Sequence, residues 1–415
     1  MKGIFYDLKL RKIILKKMGI GRKYSMIKYR DDWPIPDIIH QNQVKVKTRL
    51  GGICGGDLHQ INIVIPYAAT IIARKDNPFQ MGHELIGEVV EIGDDIQKVK
   101  LGDHVIFSPM VNCESYGFEP CCSCKEGHYS TCQANAGVGD GSELVEKYGG
   151  DRRFGGFSGG GFSEYFVAYE NQLTPVSKEI PDEIAVLGEP LTIGIHAALR
   201  RLPTDDETVL VIGGGIIGLM TISAIRELNS KCRIISLVRY PFQATMAKQL
   251  GANDIIIERE TDAIYNQVSQ LTKGELIKPI RGKRILYGRG GPDVIYDAVG
   301  TDSSIDDSLR LIRCNGTIVL IGMGYSITKK TEWALQVYKE ITILGSMNSG
   351  LEKFNGEEID AFELAARFLE RQPSRYEGLV THQFKIDDYK KAFALAMKKS
   401  KDRAIKIAFS FLEDK

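Results

Sequence analysis

Three short stretches carry side chains that bind metals, and each is set among glycines. Gly52-Ile53-Cys54-Gly55-Gly56-Asp57-Leu58-His59 offers a thiol, Gly82-His83-Glu84 an imidazole beside a carboxyl, and Gly188-Glu189-Pro190-Leu191 a further carboxyl. Thiolate, neutral imidazole and carboxylate are all ligands for zinc, and glycines let backbone come close to such a group. A lone His-Glu pair is ordinary in a turn or on a surface. Its company changes the reading: Cys54, His83, Glu84 and Glu189 are expected to converge on one ion. One sulfur and one imidazole among carboxylates make a harder site than sulfur alone, with a position left open for a substrate oxygen. The bland alternative for Cys54 is a buried structural thiol, and for His59 a hydrogen-bonded loop histidine.

A second cluster is made of cysteines. Cys113, Cys121, Cys124 and Cys132 are four of the eight in the chain and lie close together. Without a recognisable secretory signal, such spacing argues for metal in a reducing cytosol rather than for disulfides. Four thiolates suit a tetrahedral structural zinc. Cys122 is next to Cys121 and could replace it, so that ligand stays open between the two; an incidental cluster is the alternative.

The third feature is Val209-Leu210-Val211-Ile212-Gly213-Gly214-Gly215-Ile216-Ile217-Gly218-Leu219. It fits Gly-x-Gly-x-x-Gly between a strand and a helix, the context that makes this pattern informative. Gly213 would make the tight turn, Gly215 would let a pyrophosphate meet backbone, and Gly218 would allow close helix–strand packing. The N–H groups of the helix opening at Ile216 and Ile217 would face the phosphates. The following strand ends Leu237-Val238-Arg239-Tyr240 without the acid that usually holds the ribose of NAD. Arg239 could pair with the 2′-phosphate instead, which points to NADP over NAD, unless it only stacks on the adenine or stays solvated.

These residues need elements to place them. The 415 residues suffice for two or three domains. Short β-type runs separated by Gly, Pro and Asp turns fill the chain to about Asn171, as in a small barrel decorated by long loops. The glycine-dense stretch Phe154 to Gly161 reads as a close backbone approach or a flexible turn. Leu191, Ile195, Ala198 and Leu199 then fall on one helical face. Strands and helices alternate from Thr208 to about Gly345, the pattern of a parallel sheet with crossover helices. Within that run, Lys278 to Pro292 reads as a basic, glycine-rich loop insertion. Helices are expected at Glu358 to Glu370 and near Asp387 to Lys399.

Lys+Arg 54 against Asp+Glu 53 leaves a net charge of +1 and no general electrostatic case for nucleic acid. No apolar run reaches the ~20 residues of a membrane span. The basic segment Lys9 to Lys17 could touch an anionic surface, but reads more readily as a solvated strand or hairpin.

The ordered set of Cys54, His83-Glu84, Glu189-Pro190-Leu191 and the glycine turn resembles the zinc-containing medium-chain dehydrogenase/reductases over essentially the whole chain. It is most similar to their polyol, sugar and threonine dehydrogenase branch. The resemblance implies an α/β plus β architecture: a GroES-like barrel catalytic domain with an inserted Rossmann doubly wound parallel-sheet domain. The segments would be residues 1–195, then 196–345 for the nucleotide domain, then 346–415 returning to the catalytic domain. It implies that Cys54 and His83 ligate a catalytic zinc, with Glu84 and Glu189 completing the shell directly or through water. It also implies that Cys113, Cys121, Cys124 and Cys132 form a structural zinc lobe. The departure there is Cys113, eight residues before Cys121 where the family spaces them closely, so Glu114 to Pro120 must loop out.

The implied reaction is reversible oxidation of a secondary hydroxyl on a polyol, sugar, cyclitol or amino alcohol, with NADP or NAD as acceptor and closure of the cleft excluding water. Relatives carry Ser or Thr two residues after the ligand cysteine to take the substrate proton, and this chain has Gly56 there. His59, in the relay position of the resemblance, would act through water, or the proton would leave through a water held by Glu84 or Glu189. Alternatives are oxidation of L-threonine, a zinc-free enone or quinone reductase on the same fold, and a non-enzymatic zinc- and nucleotide-binding module. The expected partners are a small alcohol or carbonyl substrate and further copies of the chain, as a dimer or tetramer in the cytoplasm, with no nucleic acid and no membrane.

Overall fold

The protein is described by a computed structural model that covers residues 1–7, 9–20, 23–62, 79–133, 159–228, 230–324, 327–398 and 402–412. The chain divides into two compact units. The first comprises Met1–Glu189, Ser349–Glu352 and Gly356–Lys415, and the second Pro190–Asn348 with Lys353–Asn355.

The first unit is built on a mostly antiparallel sheet of seven strands. Its centre is the long strand Gln43–Gly52, which pairs with Glu84–Ile92 on one side and with Lys406–Ser410 and Tyr165–Tyr169 on the other. Strands from the two ends of the sequence therefore lie side by side, with Ala408 opposite Gly52. Val44, Val46, Leu85, Val89, Val105, Phe107, Phe166 and Leu173 are at most 1% exposed and fill one core. A second core gathers Ile4, Tyr6, Ile53, Ile61, Phe162, Phe393 and Phe409, where the Phe162 and Phe409 rings meet edge to face at 5.1 Å. Each such buried ring is worth about 3–5 kcal/mol against alanine.

Glycines decide how tightly these strands pack. A Cβ on Gly51 would stand 1.7 Å from the carbonyl oxygen of Gly161. The described end of the glycine-dense stretch, residues 159–161, is thus a close backbone approach; residues 154–158 lie outside the described residues. A helix occupies Leu10–Lys17, where a solvated strand or hairpin was expected. Lys, Arg and Leu are good helix formers. Only Ile13 of that helix is buried, and Lys12 reaches Asp7 at 2.8 Å. Lys16 and Lys17 lie in the last turn, where cations suit the helix dipole.

The second unit holds a six-stranded, wholly parallel sheet. Its strands run Asp254–Ile257, Arg233–Val238, Thr208–Ile212, Val294–Asp297, Thr317–Leu320 and Thr342–Gly345 in spatial order. The order reverses between Thr208–Ile212 and Val294–Asp297, the switch point at which doubly wound sheets take their ligands. Leu210, Ile235, Ile256, Ile295 and Ile318, with Tyr265 and Val268 from the helix Thr261–Thr272, make its core. The insertion read at Lys278 to Pro292 contributes its strand Ile285–Tyr287 to a hairpin with the preceding Glu275–Ile277. Among the described residues no helix is long and apolar enough to cross a membrane.

Candidate metal and dinucleotide sites

Cys54 sits just beyond the strand Gln43–Gly52, at the start of the helix Gly55–Asn62. His83 and Glu84 sit where Glu84–Ile92 begins, and the register places Glu84 opposite Gly52. The pairing of these two central strands thereby brings the two segments together. The Cys54 sulfur, a ring nitrogen of His83 and a carboxylate oxygen of Glu84 all lie within 4.8 Å of one another. Glu189, at the start of the helix Gly188–Arg200, is 7% exposed and close enough for its charge to act on His83. His59 is not part of the group; it lies further along the helix Gly55–Asn62, where burial holds its imidazole below the usual range.

Two further residues complete the cluster, and neither carried a role in the sequence reading. Asp57, 2% exposed, accepts the Cys54 backbone N–H at 2.9 Å and stands 3.6 Å from His83 Nδ1. Lys406, from the strand Lys406–Ser410, is 1% exposed and donates to Glu84 Oε2. It was detectable as the one charge inside Ala404-Ile405-Lys406-Ile407-Ala408-Phe409, all of it buried. Gly52 makes room for the pair, since a Cβ there would come within 2.6 Å of Glu84 Oε2.

The electrostatics of the cluster ask for a cation. Burial, and then the charge of Glu84, push the Cys54 thiol above its ordinary range. Burial also raises Asp57 to about 6 and Glu189 to about 7, against the opposing pull of His83. His83 is itself held well above its usual range, because Asp57 and Cys54 outweigh the effect of burial. Glu84 Oε1 is buried and has no hydrogen-bond partner among the described residues. A divalent ion would draw the protons off these acceptors and satisfy that oxygen. The sulfur, nitrogen and oxygen donors fit zinc.

Cys113, Cys121, Cys124 and Cys132 form a second group with their sulfurs within 4.8 Å of one another. None is in a disulfide, and Cys113 Sγ lies 3.6 Å from Cys132 Sγ. Cys122 is exposed and outside the group, whereas Cys121 is within it. The long first gap is absorbed by a 3-10 turn at Glu114–Tyr116 and by Gly117 at φ 67°. Burial raises the Cys113 thiol to about 11, and a hydrogen bond with Cys132 followed by burial raises Cys124.

In the second unit the glycine turn joins the strand Thr208–Ile212 to the helix Ile216–Glu227. Gly213 has φ +108°, which favours glycine, and a Cβ on Gly218 would lie 1.9 Å from the Gly213 carbonyl oxygen. Gly215 caps the helix, and nothing would meet a Cβ there within 4 Å. A helix N-terminus after such a turn is where phosphates bind in proteins of this architecture. Arg239 follows the strand Arg233–Val238, is exposed, and has its backbone N–H held by Gln243 Oε1 at 3.1 Å.

Two family models match the chain: the alcohol dehydrogenase GroES-like domain over residues 40–178, and zinc-binding dehydrogenase over residues 217–367. The chain belongs to the zinc-binding medium-chain dehydrogenase/reductase family. It is 27% identical to D-arabinitol dehydrogenase 1 of Uromyces fabae, over 89% of this chain and 90% of that protein. It is 29% identical to sorbitol dehydrogenase of Bacillus subtilis (strain 168), over 70% of each chain. The fold matches the crystal structure of galactitol-1-phosphate dehydrogenase from Escherichia coli with a TM-score of 0.72, at 20% identity over 99% of this chain and 100% of that one. As a member of this dehydrogenase family the protein is an oxidoreductase that uses zinc and a nicotinamide dinucleotide.

Proposed function

We propose that the protein oxidises, reversibly, a secondary hydroxyl of a polyol- or sugar-type substrate, with NADP as the preferred acceptor. The observation that carries the reading is the meeting of Cys54, His83 and Glu84 donors within 4.8 Å, from segments well separated in sequence. The names of the curated relatives, D-arabinitol and sorbitol dehydrogenase, support the substrate class. NADP rests on Arg239 standing where the acid that suits NAD is missing.

Cys54, His83, Glu84 and Glu189 would hold the zinc, and Cys113, Cys121, Cys124 and Cys132 a structural one. When bound, the catalytic zinc supplies Lewis acidity toward the substrate oxygen, and the nicotinamide accepts the hydride. The chain's own part is to aim and to manage protons. Asp57 ties down the Cys54 backbone and stands 3.6 Å from His83 Nδ1, where it would steady the ring as a ligand. Gly56 faces the donors, its missing Cβ 3.7 Å from Cys54 Sγ, and can neither donate nor accept through a side chain. Proton removal would then fall to His59 through water, burial disfavouring the charged ring, or to a water held by Glu84 or Glu189. Gly213, Gly215, Ile216, Ile217 and Gly218 would bind the pyrophosphate, and assembly as a dimer or tetramer is proposed from the family.

The test is a cofactor-reduction screen over polyols, aldoses, cyclitols and threonine with both nicotinamides, alongside metal analysis. Turnover of a polyol or sugar by zinc-loaded protein is the expected result. Protein that carries zinc but turns over threonine alone, or protein without zinc that reduces enones, would replace this reading.

A further inference from the structure

The Glu84–Lys406 pair is unusual in being dry on both sides: each side chain is 1% exposed. The ammonium donates to Glu84 Oε2 and lies 3.4 Å from the carbonyl oxygen of Ile53. Removing two ions from water is costly, and an unpaired buried carboxylate oxygen adds to that cost. Yet Glu84 Oε1 is left without a hydrogen-bond partner among the described residues. The carboxylate is thus divided, with one oxygen committed to lysine and the other buried without a hydrogen-bond partner among the described residues.

A carboxylate can grip a cation with one oxygen or with both. With Oε2 engaged, only Oε1 remains to be given. We infer that Lys406 is a positioning residue that restricts Glu84 to a one-oxygen grip on the metal and so keeps a coordination position for substrate. This rests on the proposed zinc site at Cys54 and His83. The arrangement has a cost that distinguishes it from simple support, because a buried ammonium repels the dication beside it. A merely structural lysine would strengthen metal binding by holding the ligands in place. Lys406 does the reverse: its removal tightens metal binding while spoiling the geometry.

The experiment uses cobalt(II) in chelator-stripped, full-length protein, with Cys54→Ser subtracted to remove the signal of the four-cysteine lobe. Visible absorption reports coordination number, and chelator competition reports affinity. Wild-type protein is expected to give the intense bands of a four-coordinate ion. Lys406→Met is expected to give weaker, blue-shifted bands of higher coordination number, with a dissociation constant lower by about tenfold or more. If Lys406→Met does not fold, Lys406→Gln, which also removes the charge, is read the same way. Bands that depend on Cys54 but do not change in the lysine variant, or looser cobalt binding, overturn the inference alone. A wild-type spectrum indifferent to Cys54→Ser overturns the zinc reading, and the inference with it.

Discussion

The absence of a side chain at Gly56 is the residue-scale feature that most sets this site apart. A Cβ there would lie 3.7 Å from Cys54 Sγ and 4.0 Å from His83 Cε1, both ordinary contacts, so Gly56→Ser should fold. Its hydroxyl would occupy the space that a ring substrate would use. The ratio of kcat/KM for small acyclic over cyclic polyols should rise by about tenfold, the scale of one group added to a pocket. An unchanged substrate profile would mean that Gly56 does not shape specificity.

Arg239 is a second such residue. It is exposed and its backbone is held by Gln243, so Arg239→Asp should leave the fold intact. A hydrogen bond between charged groups is worth about 1.5–3 kcal/mol, so kcat/KM for NADP should fall roughly 10- to 150-fold relative to that for NAD. A ratio that does not move removes the case for NADP. At this scale the sequence was informative where residue type alone implies chemistry, as for Cys54, His83 and Glu84. For Lys406 it offered only a lone charge in an apolar run, because nothing there says which distant carboxylate the lysine will meet. Asp57 was visible in Cys54-Gly55-Gly56-Asp57, but its work on the Cys54 backbone and the His83 ring depends on a turn that residue types do not specify.

At the scale of elements, periodicity was a good guide where one face is buried. Leu191, Ile195 and Ala198 are fully buried on the helix Gly188–Arg200, and Leu199 is half-buried. It was a poor guide at Leu10–Lys17, which buries only Ile13, so that helix propensity rather than burial pattern determined the outcome. The cysteine lobe lies between these cases: the four cysteines and the loop at Glu114 to Pro120 were readable, while the 3-10 turn that shapes that loop was not. The inward position of Cys113, 3% exposed, and the outward position of Cys122 make a direct comparison. Cys113→Ser should lose one equivalent of zinc and lower the melting temperature by about 5–10 °C, as expected for a loss of a few kcal/mol. Cys122→Ser should keep both metal content and melting temperature. Equal losses from the two variants would place Cys122 among the ligands after all.

For the molecule as a whole, folding and metal binding are linked, since the site draws on residues 54, 57, 83, 84, 189 and 406 and its protons must leave when the ion arrives. Asp57 at about 6 and Glu189 at about 7 are raised above their unfolded values, as is His83. All three groups bind protons more readily folded than unfolded. The contribution of the two acids to the metal-free protein is therefore present at low pH and lost as pH rises from about 4 through 7, and that of His83 is lost at higher pH, above its unfolded value of about 6.5. Zinc replaces those protons, and at a free concentration of 100 Kd it adds about 2.7 kcal/mol. Metal-free protein should thus lose melting temperature between pH 5.5 and pH 8, and zinc should restore more at pH 8 than at pH 5.5. Calorimetry at the two pH values, with and without zinc, checks the sign. A zinc effect that is larger at the lower pH would show that the buried acids are not what the ion discharges.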